Sequence, residues 1–401
     1  NENKVLNVPH LRFPEFSGEW EIYPLTDFMS FKNGMNPDAK RFGRGTKFIS
    51  VMDILNNQFI CYDNIRASVE VVDGDIETYG VNYGDILFQR SSETLEDVGQ
   101  ANVYLDSKPA VFGGFVIRGK SKSNYYPMFF RYLLASPTAR KKIIVKGAGA
   151  QHFNIGQDGL SKVCLNIPSI QEQEKIAKLF ECIDTRIATQ NKIIDKLQSL
   201  IKGLIDDIIT PQCEQCVAFE TLYSKAGEGG TPTTSNVEFY ENGNIPFVKI
   251  DDLGDKYLLA NKDYITELGL KKSSAWLIPV NSIIYSNGAT IGAISINKYP
   301  ICTKQGILGI VPNSNIDVEY LYYFMRSSYF QKEVERVVTE GTMRTAYLKD
   351  INHIKCPIPD LDKQKEISHT LSALSFKEDI ESQLLQKYQI QKQYLLSQMF
   401  I

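Results

Sequence analysis

Two long stretches of the chain carry apolar side chains at alternating steps of four and three residues. In the first stretch this seam contains Ile176, Phe180, Ile183, Ile187, Ile194, Leu197 and Leu204. In the second stretch, in the same register 191 residues later, it contains Ile367, Leu371, Leu374, Leu385, Tyr388 and Leu395. Such steps are typical of a helix that packs along another helix, so we predict two coiled-coil-like helices, each about 40 residues or roughly 60 Å long.

The same ten-residue pattern precedes both predicted helices. Residues 167–176 and 358–367 each match the template I-P-x-[IL]-x-x-Q-x-x-I. The segments before them also resemble one another in pairs, which are 48–54 with 247–253, 84–88 with 281–285, and 129–136 with 321–328. The first two pairs are rich in the β-branched and aromatic residues of strands, and the third has the pattern of a short amphipathic helix. Internal repetition of this kind indicates that one supersecondary plan is used twice.

These patterns predict a mixed α/β fold in which two similar globular domains alternate with two long helices. The first globular domain is expected at residues 1–168 and the first helix at 169–210. The second globular domain is expected at 211–358 and the second helix at 359–401. We expect the helices to pack antiparallel and the two halves to form a pseudo-two-fold repeat. Two similar faces around such an axis would suit a duplex target with two half-sites.

The bulk composition narrows the class of protein without identifying it. The 401 residues are 43% apolar and 23% charged, as expected for a folded chain of more than one domain. No apolar run reaches the roughly 18 residues that a membrane span needs. The net charge of −3 argues against a histone-like protein but allows a DNA reader whose positive charge is local. Seven scattered cysteines fit a reducing cytoplasm rather than a disulfide framework.

Three features together resemble the specificity subunits of type I restriction-modification systems. They are the opening P-H-L-R-F-P-E-F-S-G-E-W at residues 9–20, the two junctions into the long helices, and the ending L-L-S-Q-M-F-I at residues 395–401. The resemblance covers essentially the whole chain. It implies that each globular domain is a target-recognition domain that reads one half of a bipartite double-stranded DNA sequence. It also implies a cytoplasmic complex in which the helices bind two methyltransferase (modification) subunits, joined by restriction/translocase subunits.

The resemblance further implies a non-catalytic chain that binds no cofactor. S-adenosylmethionine would belong to the modification subunits, and ATP and Mg to the motor subunits. The sequence itself contains neither an NPPY or DPPY tetrapeptide nor the F-x-G-x-G loop of a methyl-donor site. Residues 114–121 match G-x-x-x-x-G-K-[ST], but their apolar middle predicts a strand rather than a phosphate-binding loop. Cys213 and Cys216 form one C-x-x-C without a second ligand pair, so we predict no metal site.

Candidate DNA contacts follow from the chemistry of base edges and phosphates. Arginine pairs best with guanine, and asparagine or glutamine with adenine, while lysine and arginine also neutralise phosphates. In the first domain a Gly-rich basic loop, the polar turn after a predicted strand and a later basic turn contribute Arg41, Arg44, Lys47, Gln89, Arg90, Ser91, Lys146 and Gln151. By repeat position, the second domain contributes Ser286, Asn287, Thr342 and Arg344, with Lys249 as a weaker candidate.

Two other functions remain open at this point. A coiled-coil scaffold with two ligand-binding heads that are not DNA-specific would also be repeated, although it would not explain the opening and ending segments. A fused methyltransferase-nuclease would require the motifs that the sequence lacks. Binding that weakens steeply with salt would favour the DNA reader over the scaffold.

Overall fold

The computed structural model describes residues 7–149, 152–209, 216–288, 290–339 and 344–401. The chain divides into two compact units. Unit 1 comprises Asn1–Asn191 together with Gln383–Ile401, and unit 2 comprises Lys192–Ser382. Both units contain helices and strands, so the chain is a mixed α/β protein.

Unit 1 is built around two small sheets. Its strands are β1 (Glu21–Pro24), β2 (Met29–Asn33), β3 (Phe42–Ile49), β4 (Ser68–Val69), β5 (Ile86–Gln89), β6 (Ser91–Ser92), β7 (Ala101–Val103), β8 (Val111–Phe112), β9 (Val116–Ser121), β10 (Phe153–Asn154) and β11 (Cys164–Ile167). Its helices are α1 (Val51–Asn56), α2 (Asp75–Tyr79), α3 (Pro127–Ala135), α4 (Pro137–Ile144), α5 (Gln157–Ser161) and the first part of α6 (Ile170–Ile209). The sheets have the strand orders β2-β9-β5-β7 and β4-β3-β8.

Unit 2 is also built around two sheets. Its strands are β12 (Cys216–Ala218), β13 (Tyr223–Glu228), β14 (Ile245–Val248), β15 (Tyr257–Leu258), β16 (Asp263–Ile265), β17 (Ile283–Ser286), β18 (Ile294–Asn297), β19 (Cys302–Thr303), β20 (Ile307–Pro312) and β21 (Lys355–Pro357). Its helices are α7 (Glu267–Lys271), α8 (Val318–Arg326), α9 (Ser328–Val337), α10 (Leu348–Ile351) and the first part of α11 (Leu361–Gln398). The sheets have the orders β13-β20-β17-β18-β15 and β16-β14-β19.

The two units share one strand topology. In each, the order of the first four strands of the larger sheet corresponds, from β2-β9-β5-β7 to β13-β20-β17-β18. The smaller sheets correspond as well, because β3 and β8 are parallel in one and β14 and β19 are parallel in the other. A two-stranded antiparallel pair, β1 with β11 or β12 with β21, leads into each long helix. The repeats seen in the sequence are therefore repeats of strand order.

The predicted strand at residues 48–54 is wrong beyond its second residue. Strand β3 ends at Ile49, and α1 begins at Val51. The backbone N–H of Ser50 donates to the Asp53 carboxylate at 2.7 Å, and the Ser50 hydroxyl donates to the same oxygen at 2.7 Å. This local pairing at the N-terminus stabilises a helical turn, so the β-branched and apolar residues that follow are helical.

A buried glutamine holds the start of each long helix. Gln173 donates from Nε2 to the carbonyl of Pro168 at 3.0 Å, and its Oε1 accepts from the N–H of Tyr126 at 3.0 Å. Gln364 donates likewise to the proline carbonyl five residues earlier at 2.8 Å and accepts from the N–H of Asp317 at 2.9 Å. Each amide ties the first turn of the long helix to the segment that enters α3 or α8. This contact explains the glutamine of the repeated ten-residue pattern.

The opening and ending segments of the chain meet in unit 1. Arg12 donates from Nε and Nη2 to the two carboxylate oxygens of Glu172, each at 2.8 Å. Trp20 donates from Nε1 to the same carboxylate at 3.3 Å. The ring of Phe400 packs edge-on against Trp20 and lies 5.8 Å from the ring of Phe180. Both segments that carry the family resemblance are thus bound to the first turns of α6.

The predicted seam positions are buried or partly buried. The buried ones are Ile176, Phe180, Ile183, Ile194, Ile367 and Leu371, and the partly buried ones are Ile187, Leu197, Leu204, Leu374, Leu385, Tyr388 and Leu395. Polar contacts join the two long helices as well. Within unit 1, Lys392 of α11 binds Asp184 of α6 at 2.5 Å. Within unit 2, Gln198 of α6 donates to Glu378 of α11 at 2.7 Å.

Candidate DNA interface

The end of strand β5 contacts two other loops of unit 1. The backbone N–H of Arg90 donates to the carbonyl of Phe115 at 2.8 Å, and its carbonyl accepts from the N–H of Ile155 at 2.9 Å. Ser91 pairs in β6 with Asn154 in β10. The structure therefore brings the turn after β5, the turn before β9 and the loop between α4 and α5 to one place. The sequence had predicted the first and third of these as separate DNA-contacting regions.

Unit 2 has the same junction at the end of β17. The backbone N–H of Asn287 donates to the carbonyl of Gly306 at 3.0 Å, and its carbonyl accepts from the N–H of Ala346 at 2.8 Å. The Asn287 side chain also donates to the Ala346 carbonyl at 3.1 Å. Ser286 donates from its hydroxyl to the carbonyls of Gly288 and Thr290 at 3.1 and 2.6 Å. The Ser286 and Asn287 side chains therefore stabilise the junction by hydrogen bonds to its own backbone.

Three predicted base-reading side chains are buried. Gln89, Ser286 and Asn287 are 5%, 0% and 1% exposed. Gln89 donates from Nε2 to the carbonyl of Ser91 at 2.9 Å. Within the described part of the chain, the amide oxygens of Gln89 and Asn287 have no hydrogen-bond partner. A base contact by any of these three side chains would therefore require the turn to open.

The Gly-rich basic loop lies largely in strand β3 and is held by the chain around β4. Arg41 donates from Nε to the carbonyl of Glu70 at 2.8 Å and forms an ion pair with Asp75. Arg44 pairs with the Glu70 carboxylate at 2.7 Å, and Lys47 donates from Nζ to a backbone carbonyl at 2.7 Å. The Arg44 side chain is nonetheless 71% exposed. An exposed pair contributes about 1 kcal/mol or less, so Arg44 can exchange Glu70 for a phosphate.

The remaining predicted contacts are dispersed. Lys146 is exposed after α4. Lys249 pairs with Asp263 at 2.8 Å and is 43% exposed. Arg344 pairs with Glu335, is 54% exposed, and lines a hollow of about 320 Å³. Two predicted residues, Gln151 and Thr342, lie outside the described residues.

Sequence reasoning missed an apolar surface beside the β5 junction. Phe115 is 69% exposed, Met52 60% and Phe42 42%. All three line an apolar hollow of about 390 Å³. The available signal was the pair of glycines before Phe115, the second of which begins the segment that matches a phosphate-loop template. Residues Val116–Ser121 of that segment form strand β9, which pairs with β2 and β5, so the predicted strand is confirmed.

A partly buried polar cluster in unit 2 joins the residue before β15 to α8 and α11. Lys256 donates from Nζ to the Glu319 carboxylate at 2.9 Å, to the Tyr323 hydroxyl at 3.1 Å and to the Ser372 hydroxyl at 2.7 Å. Burial lowers the pKa of Lys256, but the hydrogen bond to Glu319 and the interactions with Tyr323 and Tyr257 together outweigh burial, so the pKa lies above the ordinary value. Burial raises the pKa of Glu319, but hydrogen bonds from Ser372, Tyr257 and Lys256 hold it below the ordinary value. The cluster thus links the globular part of unit 2 to α11 by hydrogen bonds.

The described residues also bear on metal and membrane binding. No three His, Cys, Asp or Glu side chains among them are grouped so that they could hold a metal ion. None of the helices in the described ranges combines the length and apolar content of a membrane span. Of the single C-x-x-C, Cys213 falls outside these ranges.

Comparisons with known proteins point to one family. The sequence profile described as "Type I restriction modification DNA specificity domain" matches residues 17–199 and 224–388. A protein of Methanocaldococcus jannaschii, assigned as the specificity subunit of type I restriction enzyme MjaX, is 25% identical over 419 aligned residues, covering 97% of this chain and 94% of that protein.

Two solved structures share the fold. The S subunit of a type I restriction-modification system from M. genitalium aligns with a TM-score of 0.56 at 14% identity, over 98% of this chain and 99% of that one. A structure determined for complex assembly and conformational transition of the type I R-M system aligns with a TM-score of 0.61 at 13% identity, over 97% and 98% of the two chains. At these identities the likeness establishes the fold alone.

Proposed function

This chain belongs to the type I restriction-modification DNA specificity family, with two matched domains, and from that premise we propose that it reads a bipartite double-stranded DNA sequence, one half per domain. In the same proposal it holds the methyltransferase and the restriction/translocase subunits together. The observation that carries the proposal is the repetition of one strand topology before each of two long helices. A scaffold with heads that are not DNA-specific would not account for the matched DNA specificity domains.

The division of labour along the chain is part of the proposal. Residues 1–168 and 211–358 form the two target-recognition domains, and residues 169–210 and 359–401 form the helices that set their spacing. The helices pack antiparallel around a pseudo-two-fold axis. Antiparallel packing is supported within unit 1, because Phe180 of α6 lies against Phe400, whereas Asp184, later in α6, pairs with Lys392, which precedes Phe400 in the chain.

Exposed cations of the two domains would supply the phosphate contacts. Arg44, Lys146 and Arg344 are exposed, and the partners of Arg44 and Arg344 are exposed carboxylates that a phosphate can replace. Each phosphate neutralised on duplex DNA steepens the salt dependence of binding by about 0.9 in a log–log plot. Because the net charge of the whole chain is −3, the isolated chain is expected to bind DNA weakly.

In this proposal, methyl transfer and ATP-dependent cleavage take place on the partner subunits. The chain binds no cofactor, S-adenosylmethionine is bound by two modification subunits, and ATP and Mg by the restriction subunits. The strand geometry of Val116–Ser121 argues against nucleotide binding by the segment that matches the phosphate-loop template, because a phosphate-binding loop must instead lead from a strand into a helix.

Co-expression with the cognate modification subunit, followed by genome-wide mapping of methylated adenines, tests the function. We expect methylation at one split motif. Removing one heptad from facing positions of α6 and α11 preserves the seam and shortens each helix by about 10 Å, or roughly 3 base pairs of spacer. The half-sites should stay the same.

The matched control removes the same heptad from α6 only, which leaves the facing positions of α11 without partners and should abolish methylation. A complex that forms and methylates no motif would refute the reading function. An unchanged spacer in the doubly shortened protein would refute the role of the helices.

A further inference from the structure

A three-residue turn leads into β9 at the junction of unit 1. The N–H of Gly113 donates to the carbonyl of Ile49 at 3.0 Å, and the carbonyl of Phe115 accepts from the N–H of Arg90 at 2.8 Å. The backbone of this turn is thus held at both ends by neighbouring strands. Its side chains contribute little to the core, since the first two residues are glycines and the ring of Phe115 is 69% exposed.

The turn 304–306 occupies the equivalent place in unit 2. The N–H of Lys304 donates to the last carbonyl of β14 at 3.0 Å, and the carbonyl of Gly306 accepts from the N–H of Asn287 at 3.0 Å. The side chains of this turn differ in kind from those of unit 1. Lys304 and Gln305 are exposed, and Gly306 stands at the place of Phe115.

The two turns therefore share the same backbone hydrogen bonds to neighbouring strands and differ in the side chains that they expose. A framework held by the same backbone hydrogen bonds in both units cannot distinguish two unlike half-sites, whereas the exposed side chains can. The polar, cationic turn of unit 2 does not suit an apolar protein surface. Equivalent turns of one repeated domain should meet the same kind of partner, so the exposed aromatic of unit 1 is better explained by DNA bases. Clustered exposed apolar residues mark a binding surface, and Phe115 shares the apolar hollow with Met52 and Phe42.

We propose that the turns 113–115 and 304–306 are the base-reading elements of the two domains. Phe115 contacts the 5-methyl group of thymine in the major groove. Lys304 donates hydrogen bonds to guanine, and Gln305 both donates to and accepts from adenine. Thymine is the base whose major-groove edge carries a methyl group, while glutamine suits adenine and lysine suits guanine. The inference rests on the proposed function and assigns its specificity to residues outside the sequence-based candidates.

Methylation maps of point variants, each co-expressed with the modification subunit, test this assignment. Phe115→Ala should relax base preference in one half-site, with roughly 5- to 100-fold slower methylation of the original motif. Gln305→Ala should relax the other half-site. Tyr83→Ala, a matched control that removes a 63% exposed aromatic at the opposite end of β5, should leave both half-sites unchanged.

Duplexes with uracil in place of thymine separate a methyl contact from a general effect. Replacing thymine in the half-site that Phe115→Ala alters should slow methylation by the wild-type complex and leave the rate of the variant complex unchanged. An altered half-site without thymine, an unchanged motif in Phe115→Ala, or equal slowing of both complexes by uracil would each overturn the inference. A wild-type complex that methylates no split motif would instead refute the proposed function beneath it.

Discussion

The ion pair between Lys256 and Glu319 is expected to contribute about 2 kcal/mol to the stability of unit 2. Its side chains are 14% and 26% exposed, and the Nζ–Oε2 distance is 2.9 Å. Removing one partner of a fully buried pair costs about 3–5 kcal/mol, whereas an exposed pair contributes about 1 kcal/mol or less. This pair is only partly buried, and Tyr257 and Ser372 would still donate to the Glu319 carboxylate if Lys256 were replaced. Its contribution is therefore expected between those limits.

A double-mutant cycle with Lys256→Met and Glu319→Gln measures the coupling. The chain has two tryptophans, Trp20 in unit 1 and Trp276 in unit 2. In a Trp20→Phe background, the fluorescence of Trp276 during urea unfolding reports on unit 2. We expect a coupling energy of about 2 kcal/mol between Lys256 and Glu319.

The matched control is the pair Lys363–Glu366, also 2.9 Å apart but 46% and 68% exposed. Its coupling energy should be below about 0.5 kcal/mol. Equal coupling energies for the two pairs would show that burial does not set the strength of the Lys256–Glu319 pair, and the reasoning would be wrong.

Acid titration of the same variants gives an independent check. The pKa of Glu319 lies below its ordinary value of 4.5 in the folded protein, so its contribution is fully present above pH 4.5 and is lost as the pH falls through the lower folded value. The stability difference between wild type and Glu319→Gln should therefore be constant near neutral pH and shrink in acid. A difference that grows below pH 4.5 would contradict the direction of the pKa shift.

Three further substitutions test other parts of the fold. Gln173→Ala removes the side-chain partner of a buried carbonyl and of a partly buried N–H and should cost about 1–3 kcal/mol in urea unfolding, while the exposed Gln171→Ala should be neutral. Phe400→Ala removes a ring that is 2% exposed and should destabilise unit 1 by about 3 kcal/mol, against less than about 0.5 kcal/mol for Phe376→Ala, whose ring is 66% exposed. Gly203→Ala adds a Cβ with no atom within 4 Å inside α6 and should stabilise by about 0.5–1 kcal/mol, so a lower melting temperature would show a contact that the structure lacks.

Local chemistry made several elements predictable from the sequence. The steps of four and three residues indicated the long helices found at Ile170–Ile209 and Leu361–Gln398, because the geometry of a helix places such residues on one face. The apolar middle of residues 114–121 indicated the strand that became β9. The repeated pattern before each helix marked a real junction, although only the structure shows that its glutamine closes the first turn.

Exposure and partners at the candidate interface could be decided only by tertiary structure. Asn287 looks like a free turn residue in the sequence, but its amide donates to Ala346, 59 positions later. Arg41 and Arg44 look like free cations, but they pair with acceptors 26 to 34 positions away. Phe115 looks like a core residue and is exposed. Periodicity reports which face of an element is apolar, whereas burial of a loop residue depends on which distant segment packs over it, and a single sequence carries no local signal for that contact.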